Sequence, residues 1–290
     1  MLPFELLKPT SFDEAIELLS LDPENSKSIA GGTALMQMMK SQIFTPTQVV
    51  SLRNIKDSAY IKVAPNGELK IGALTKLSDL ENSALLATHA PVICRAMIKL
   101  ANVRVRNSAT IGGALSHGDP HMDLPPILCC LSANVQTISP EGKRTIPVDN
   151  LYLGYYETCL EANELIYEIS LPANISPYSS YVKCTTRSAD DWPALGVAVN
   201  LTIKDDHIDT SRIFMGSISD TPVRLIELEN RLSTKELTPA MLTSAADLVS
   251  AEIDPTSDHL GSADYKRQLA RVYVKRALLE AYNNGVNHAK

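Results

Sequence analysis

The sequence of 290 residues lacks long hydrophobic runs, cysteines in C-x-x-C spacing and a recognisable targeting segment. No apolar stretch approaches the roughly 20 residues that span a bilayer, and residues 1–5 do not begin a secretory signal. The five cysteines show no C-x-x-C spacing, which argues against a disulfide framework and against the usual ligation of an iron–sulfur cluster. We therefore expect a cytoplasmic protein whose thiols are free and buried.

Positive charge is also scarce. The formal net charge is −6, the isoelectric point is near 5.6, and the one basic cluster consists of Arg104 and Arg106. Nucleic-acid binding needs clustered lysine and arginine, so we expect no nucleic-acid partner. Four catalytic and nucleotide-binding motifs are missing as well: G-x-G-x-x-G, G-x-x-x-x-G-K-[ST], G-x-S-x-G and H-E-x-x-H.

The most informative feature of the sequence is a set of two glycine pairs, Gly31-Gly32 and Gly112-Gly113, each at the end of a short apolar run. Glycine tolerates positive φ and lets backbone N–H groups approach a ligand, so a Gly-Gly turn directs several donors at an anion. A lone Gly-Gly turn is more often structural than functional. Together, however, the two pairs predict two halves of one phosphate-binding cradle.

The apolar periodicity of the first half predicts a mixed fold. Ser11 and Glu14 form a capping box before a helix over 12–20. A strand at 27–30, a helix at 35–40 and a strand at 48–52 complete a βαβ-like opening. Further predicted elements are hairpins around 65–67 and 140–142, helices over 77–86 and 91–101, and a strand over 165–171.

The polar segment 173–180 is the expected boundary between two packed units, because the pattern changes after it. Strands are predicted near 181–187, 194–203 and 211–218, followed by helices near 223–232, 238–250 and 262–283. The last helix is expected to end at Asn283-Asn284-Gly285. Strands followed by helices favour a separate α+β unit.

The segment 117–123 carries an alternative site. His117, Asp119, His121 and Asp123 place two imidazoles and two carboxylates close together, a ligand set that suits a divalent metal in a hydrolase. The intervening glycine and proline favour a loop rather than a helix that presents its ligands on one face. A stand-alone metal-dependent hydrolase therefore stays open as a second hypothesis.

The segment 102–126 carries a family resemblance. It contains Arg106-Asn107-Ser108-Ala109-Thr110-Ile111-Gly112-Gly113-Ala114, followed by Asp119-Pro120 and Asp123-Leu124-Pro125. It resembles the signature R-N-x-A-T-I-G-G-N and A-x-P-x-x-D-L-x-P of the FAD-binding medium subunit of the molybdenum hydroxylases, the carbon monoxide dehydrogenase and xanthine dehydrogenase family. Other matching segments follow in the family's order: Ala30-Gly31-Gly32-Thr33, Ile71-Gly72-Ala73, Glu164-Leu165-Ile166, Lys183 with Arg187, and Ser262-Ala263-Asp264-Tyr265.

The resemblance implies an α+β fold with two domains. A two-lobed FAD-binding domain of the PCMH type would span residues 1–175, with lobes over about 1–55 and 56–175. A C-terminal domain of the CO dehydrogenase flavoprotein type, with an antiparallel sheet and a helix bundle, would span 176–290. The implied FAD-contacting residues are Ser28, Ile29, Ala30, Gly31, Gly32, Thr33, Ala34, Leu35, Thr110, Ile111, Gly112, Gly113, Ala114, Asp123, Ile166 and Lys183.

The resemblance also implies a role for each group of contacts. The glycine segments would bind the pyrophosphate, Asp123 the adenosine end, and Ile166 the flavin by apolar contact. Lys183 would stabilise negative charge on the reduced flavin. The non-functional alternatives are a helix cap for Asp123 and a solvated surface position for Lys183, and Trp192 would either stack on a cofactor or anchor the C-terminal unit.

The implied partners are a large subunit with molybdopterin, a small subunit with two [2Fe-2S] clusters, and an external electron acceptor. No catalytic acid or base and no metal ligand is expected in this chain. Ala34 and Ala114 stand where the family usually has Asp and Asn, which removes side-chain hydrogen bonds worth about 0.5–1.5 kcal/mol each. A binding module that kept the fold and lost the flavin is therefore a third hypothesis.

Overall fold

The computed structural model describes residues 1–288, and its first unit is a small sheet packed on one helix. The elements are β1 (Glu5–Leu7), α1 (Phe12–Leu21), β2 (Ser26–Ile29), α2 (Leu35–Lys40) and β3 (Gln48–Ser51). The strands pair in parallel in the order β1-β3-β2, so the predicted βαβ opening is present. The Ser11 hydroxyl caps α1 by accepting the Glu14 amide at 3.1 Å, while the Glu14 carboxylate accepts the Thr10 amide.

The second unit is a five-stranded antiparallel sheet covered by short helices. Its helices are α3 (Leu77–Glu81), α4 (Ala84–His89), α5 (Pro91–Met97), α6 (Val103–Arg106), α7 (Ile111–His117) and α8 (Leu124–Cys130). Its strands are β4 (Ile61–Val63), β5 (Leu69–Gly72), β6 (Asn134–Ser139), β7 (Gly142–Pro147) and β10 (Leu165–Leu171), in the order β4-β5-β10-β6-β7, with a small ribbon β8 (Tyr152–Gly154) and β9 (Glu157–Thr158) beside them. Both predicted hairpins are confirmed.

The predicted helix over 77–86 was wrong, because the chain forms α3 and α4 instead. Asn82 ends α3, and the Ser83 hydroxyl accepts the Leu86 amide at 3.2 Å, which starts a new helix at Ala84. Asparagine and serine compete for backbone hydrogen bonds and favour helix ends over helix interiors. The Asn82-Ser83 pair in the sequence therefore indicates the end of one helix and the start of the next.

The third unit is a four-stranded antiparallel sheet with helices on one face. Its elements are β11 (Ser179–Cys184), β12 (Leu195–Lys204), β13 (His207–Gly216), β14 (Val223–Arg224), α9 (Ile226–Leu232), α10 (Pro239–Glu252) and α11 (Ala263–His288). β13 begins earlier than predicted because Asp205 and Asp206 turn the hairpin with φ of 51° and 63°. Within residues 1–288 no helix has the length and apolar character needed to cross a membrane.

The second and third units share a core through the sheet β11–β14. Val197 and Val199 of β12 face the helices α9 to α11, whereas Ala198 between them packs into the core of the second unit. This alternation follows from the two-residue period of a strand. Arg212 of β13 reinforces the junction, since its guanidinium donates to the Cys129 carbonyl at 2.9 Å and to Asp149 at 2.6 Å.

Candidate functional site

The two glycine segments lie against each other. A Cβ atom placed on Gly31 would come within 2.7 Å of the Ala109 Cα, and one placed on Gly113 would lie 3.9 Å from the Ala30 Cβ. Gly31 is therefore a glycine because the backbone before the second pair passes directly beside it. Residues separated by about a third of the chain therefore lie side by side, whereas their joint binding of a phosphate stays a prediction.

The first glycine segment, residues 28–35, presents unused backbone donors. It leads from the end of β2 into α2, every residue in it is half-buried, and Gly32 has a φ of +71°. Among the acceptors of residues 1–288, none receives the backbone N–H groups of Gly31, Gly32, Thr33 and Ala34. Such a run of open amides in a turn is a typical binding surface for an anion.

The second glycine segment, residues 108–115, differs from the bend that was predicted. Thr110 caps α7, and Gly112 and Gly113 lie in its first turn. Their amides donate to the Ala73 carbonyl at 2.9 Å and to the Thr110 hydroxyl at 3.2 Å, so these donors are already occupied. Gly112 is needed for packing, since a Cβ there would lie 2.7 Å from the Ala73 Cβ.

The remaining predicted contacts in these segments flank the two glycine pairs. Ser28, Ile29, Ala30 and Leu35 are half-buried on either side of Gly31-Gly32, while Thr110, the N-cap of α7, and Ile111 and Ala114 within that helix are buried. Ile111 donates to the Thr75 carbonyl and Ala114 to the Thr110 carbonyl. The first segment therefore offers donors, and the second supplies the wall on which the first rests.

Ile166 lies on β10, which is linked to the second glycine segment. It is buried, and the register of β10 shifts just after it, between Ile166 and Glu168. The next carbonyl, that of Tyr167, accepts the Ala73 amide at 3.0 Å, and Ala73 is the residue on which Gly112 packs. Ala73 therefore contacts both β10, which carries Ile166, and the second glycine segment.

Asp123 and Lys183 form a buried ion pair. The Lys183 ammonium donates to Asp123 Oδ2 at 3.2 Å and to the Asp191 carbonyl at 2.9 Å, and the Tyr181 hydroxyl donates to Asp123 Oδ1 at 2.6 Å. The Lys183 side chain is only 4% exposed, so it is not a solvated surface lysine. Asp123 precedes α8, but its carboxylate makes no cap hydrogen bond. The helix-cap alternative for Asp123 was therefore wrong.

Burial raises the pKa of the Asp123 carboxyl, while the Lys183 ammonium and the Tyr181 hydroxyl act against that rise. Burial and the neighbouring Asp123 carboxylate raise the pKa of the Tyr181 hydroxyl, which remains a hydrogen-bond donor. The partners of Asp123 lie 58 and 60 positions further along the chain. No local pattern in the sequence indicates Tyr181 as part of this cluster.

The four side chains of the alternative metal loop do not share one common partner. Asp123 binds Lys183, whereas His117 lies edge-on to Tyr156 with ring centroids 5.1 Å apart. His121 lies between Asp119 and Asp258. Over residues 1–288 the structure holds no group of three or more His, Cys, Asp or Glu side chains suited to a metal ion.

A cleft of about 270 Å³ lies where the second and third units meet. Its lining comprises Pro120 and His121, the aromatic side chains of Tyr155, Tyr156 and Trp192, and residues from segments 217–220 and 256–259. Trp192 is half exposed and follows Asp191, whose carbonyl accepts the Lys183 ammonium. One residue of the cleft lining, Trp192, is thus the chain neighbour of a residue that binds Lys183.

Comparison with known proteins identifies the family of this chain. The family described as the FAD binding domain in molybdopterin dehydrogenase matches residues 2–174, and the CO dehydrogenase flavoprotein C-terminal domain matches residues 180–281. The carbon monoxide dehydrogenase medium chain of Hydrogenophaga pseudoflava is 33% identical, with 96% of this chain and 97% of that protein covered. The glyceraldehyde dehydrogenase medium chain of Sulfolobus acidocaldarius is 30% identical, with 96% and 98% covered.

Solved structures show the same fold. A carbon monoxide dehydrogenase chain from Hydrogenophaga pseudoflava superposes with a TM-score of 0.92 at 33% identity, covering 98% of this chain and 99% of that one. A quinoline 2-oxidoreductase chain from Pseudomonas putida 86 superposes with a TM-score of 0.93 at 26% identity, covering 98% of each. The α+β fold class and the family resemblance are confirmed. The chain belongs to the FAD-binding medium subunits of the molybdenum hydroxylases, a family of oxidoreductases.

Proposed function

We propose that this chain binds FAD at its glycine segments and passes electrons through it. Electrons would arrive from [2Fe-2S] clusters in a small partner subunit and leave to an external acceptor, while the organic substrate is oxidised at a molybdopterin centre in a large subunit. Two similar proteins are named as medium chains, and a similar carbon monoxide dehydrogenase structure is described as lacking the Mo-pyranopterin moiety of its molybdenum cofactor. FAD, when bound, supplies the redox chemistry.

The open amides of residues 31–34 are the observation that carries this proposal. They are half-buried and lack acceptors in the described part of the chain, and a pyrophosphate offers several anionic oxygens to such donors. Ala34 contributes through its N–H group, so the missing side-chain carboxylate leaves this contact intact. We assign pyrophosphate binding to the first glycine segment and support of its conformation to the second.

The short distance between Asp123 and Lys183 limits which parts of FAD these two residues can contact. Their charged atoms are 3.2 Å apart, so they cannot serve opposite ends of an extended dinucleotide. We place both at the flavin end, beside Ile166. There Asp123 and the Asp191 carbonyl hold the ammonium of Lys183 in place, and the buried positive charge favours extra negative charge beside it.

Flavin retention in matched glycine variants tests the proposal. Gly31→Ala places a Cβ against the backbone of Ser108 and Ala109, whereas Gly154→Ala places one only near the flexible Glu157 side chain. We expect the wild-type chain and Gly154→Ala to keep one FAD per chain through gel filtration, measured by absorbance, and Gly31→Ala to lose most of it. A folded Gly31→Ala chain, judged by circular dichroism, that retains full flavin would overturn the proposal.

Reduction of the assembled complex tests the electron route. With the partner subunits present and air excluded, substrate of the complex is expected to bleach the flavin absorbance of this chain, because electrons reach FAD from the clusters. The matched control is the complex built with the flavin-depleted Gly31→Ala chain, in which the clusters should be reduced while transfer to an added acceptor dye is lost. Unchanged dye reduction in that complex would contradict the route.

A further inference from the structure

The His121 side chain lies between two carboxylates that belong to different parts of the chain. Its Nδ1 is 3.2 Å from Asp119 Oδ1, and its Nε2 is 3.1 Å from Asp258 Oδ2. Asp119 lies in the same loop as His121, whereas Asp258 lies 137 positions later, in the loop before α11. The imidazole thus joins the second unit to the third. It lines the 270 Å³ cleft between these units, which we call the junction cleft.

This arrangement requires both ring nitrogens to carry hydrogen. A carboxylate is only an acceptor, and a neutral imidazole has one N–H group, so only the imidazolium donates to both carboxylates at once. The Asp119 hydrogen bond raises the pKa of His121, burial acts against it, and Asp258 adds to the rise. The imidazole is mostly shielded from solvent, with 11% of the side chain exposed.

The two carboxylates keep other partners, so they stay charged whether or not His121 is protonated. Burial tends to raise the pKa of Asp258, but the Lys266 ammonium at 2.6 Å, His121 and the Leu260 amide hold it at about 2. Burial likewise opposes a lower pKa at Asp119, and its hydrogen bonds from His121 and Tyr156 outweigh that effect. Loss of the His121 proton would therefore place a ring lone pair against an anion.

Two aromatic rings, those of Trp192 and His259, lie close to the His121 imidazole. The Trp192 ring stacks on the imidazole with centroids 6.0 Å apart and planes 14° apart, and the His259 ring lies 6.1 Å away. A cation over an indole face is attracted by its π electrons, and the attraction weakens when the charge is lost. The remaining charged groups facing this cluster are Lys266 behind Asp258 and Asp220 in the lining of the cleft.

We propose that protonated His121 is a pH-sensitive latch that fastens the 117–123 loop to the 256–261 loop and holds Trp192 over the junction cleft. Loss of the proton releases Asp258 and Trp192 and loosens this side of the cleft. The inference goes beyond the proposed function, because it depends on no cofactor.

The direction of the pH dependence follows from the charges. His121 has a raised pKa in the folded chain, so its contribution is fully present below the ordinary histidine value of about 6.5 and is lost as pH rises through the raised value. The Asp119 and Asp258 carboxylates have lowered pKa values, so they contribute above the ordinary aspartate value and fail only in stronger acid. The latch is closed between these limits.

Intrinsic tryptophan fluorescence reports on the surroundings of Trp192, because Trp192 is the only tryptophan of the chain. The full chain is titrated from pH 5 to pH 9 at fixed flavin loading, a range of about four units around the histidine pKa. We expect Trp192 emission to change with a one-proton midpoint above 6.5 in the wild type and in the control His259→Gln. His121→Gln is expected to lose the transition. A transition that survives in His121→Gln, or disappears in His259→Gln, would overturn the latch.

A second measurement uses only the wild-type chain, so it holds even if His121→Gln fails to fold. The ring resonances of His121 in an isotope-labelled sample are followed by NMR across the same pH range, together with the amide exchange of Leu260 and Gly261, which donate to Asp258. We expect the ring to titrate above 6.5 and protection of both amides, corrected for intrinsic exchange, to fall at the same midpoint. A ring that titrates at or below 6.5, or protection that stays constant, would contradict it.

Discussion

At the scale of residues, the functional geometry depends on contacts between side chains far apart in sequence. The local part of the candidate site, Gly31 with its neighbours, is predicted from the sequence because two glycine pairs each follow a short apolar run. The partners of Asp123 are not readable in the same way. Tyr181 and Lys183 reach it only because β11 passes beside the start of α8, and that proximity is a property of the fold.

The buried pair Asp123–Lys183 gives a prediction about stability. Asp123→Asn removes the carboxylate and leaves the Lys183 ammonium buried without a counter-ion, so we expect a loss of about 3–5 kcal/mol in the free energy of unfolding, measured with urea. The double variant Asp123→Asn with Lys183→Met removes both charges and is expected to recover part of that loss.

A surface pair provides the matched control. Asp247 and Arg271 also form an ion pair, but their side chains are 59% and 41% exposed. Asp247→Asn is expected to cost less than about 1 kcal/mol, because exposed pairs are screened by water. If Asp123→Asn cost no more than Asp247→Asn, the Asp123 carboxylate would not be compensating a buried charge.

At the scale of elements, most helices and strands follow from local pattern, and the errors have identifiable causes. The strand over 165–171 and the helix over 35–40 have the predicted bounds. The last helix was expected to end near Gly285 but continues to His288. Gly285 is an interior helix residue because the Tyr178 ring packs on it, a contact made across 107 positions that no local rule signals.

Gly285 therefore reverses the usual effect of a glycine-to-alanine change in a helix. Alanine normally stabilises a helix interior by about 1 kcal/mol over glycine. Here a Cβ would overlap the Tyr178 ring, so we expect Gly285→Ala to lower the Tm. The double variant with Tyr178→Ala is expected to lose less than the sum of the two single changes, because the overlap is gone.

An exposed position on the same helix serves as the control. Asn283 is solvent-exposed, and Asn283→Ala is expected to leave the Tm unchanged or raise it slightly through helix propensity. A Tm for Gly285→Ala that rises as it does for Asn283→Ala would show that Tyr178 does not hold α11 in place.

At the scale of the whole molecule, the sequence indicates the family, whereas the relation between units comes from the structure. The predicted division near residue 175 remains a prediction, because the second and third units share a core through Ala198 and Phe214. The junction cleft and the His121 latch both form where these units meet. Neither has a sequence signal, since His121 and Asp258 are 137 positions apart in the chain.

The central claim is that the first glycine segment holds the pyrophosphate of FAD. A crystal structure of the chain with FAD bound tests it most directly. We predict pyrophosphate oxygens within about 2.7–3.2 Å of backbone nitrogens among Gly31, Gly32, Thr33 and Ala34, with the flavin beside Lys183. A pyrophosphate bound elsewhere, for example in the junction cleft, with those amides still facing solvent, would contradict the account.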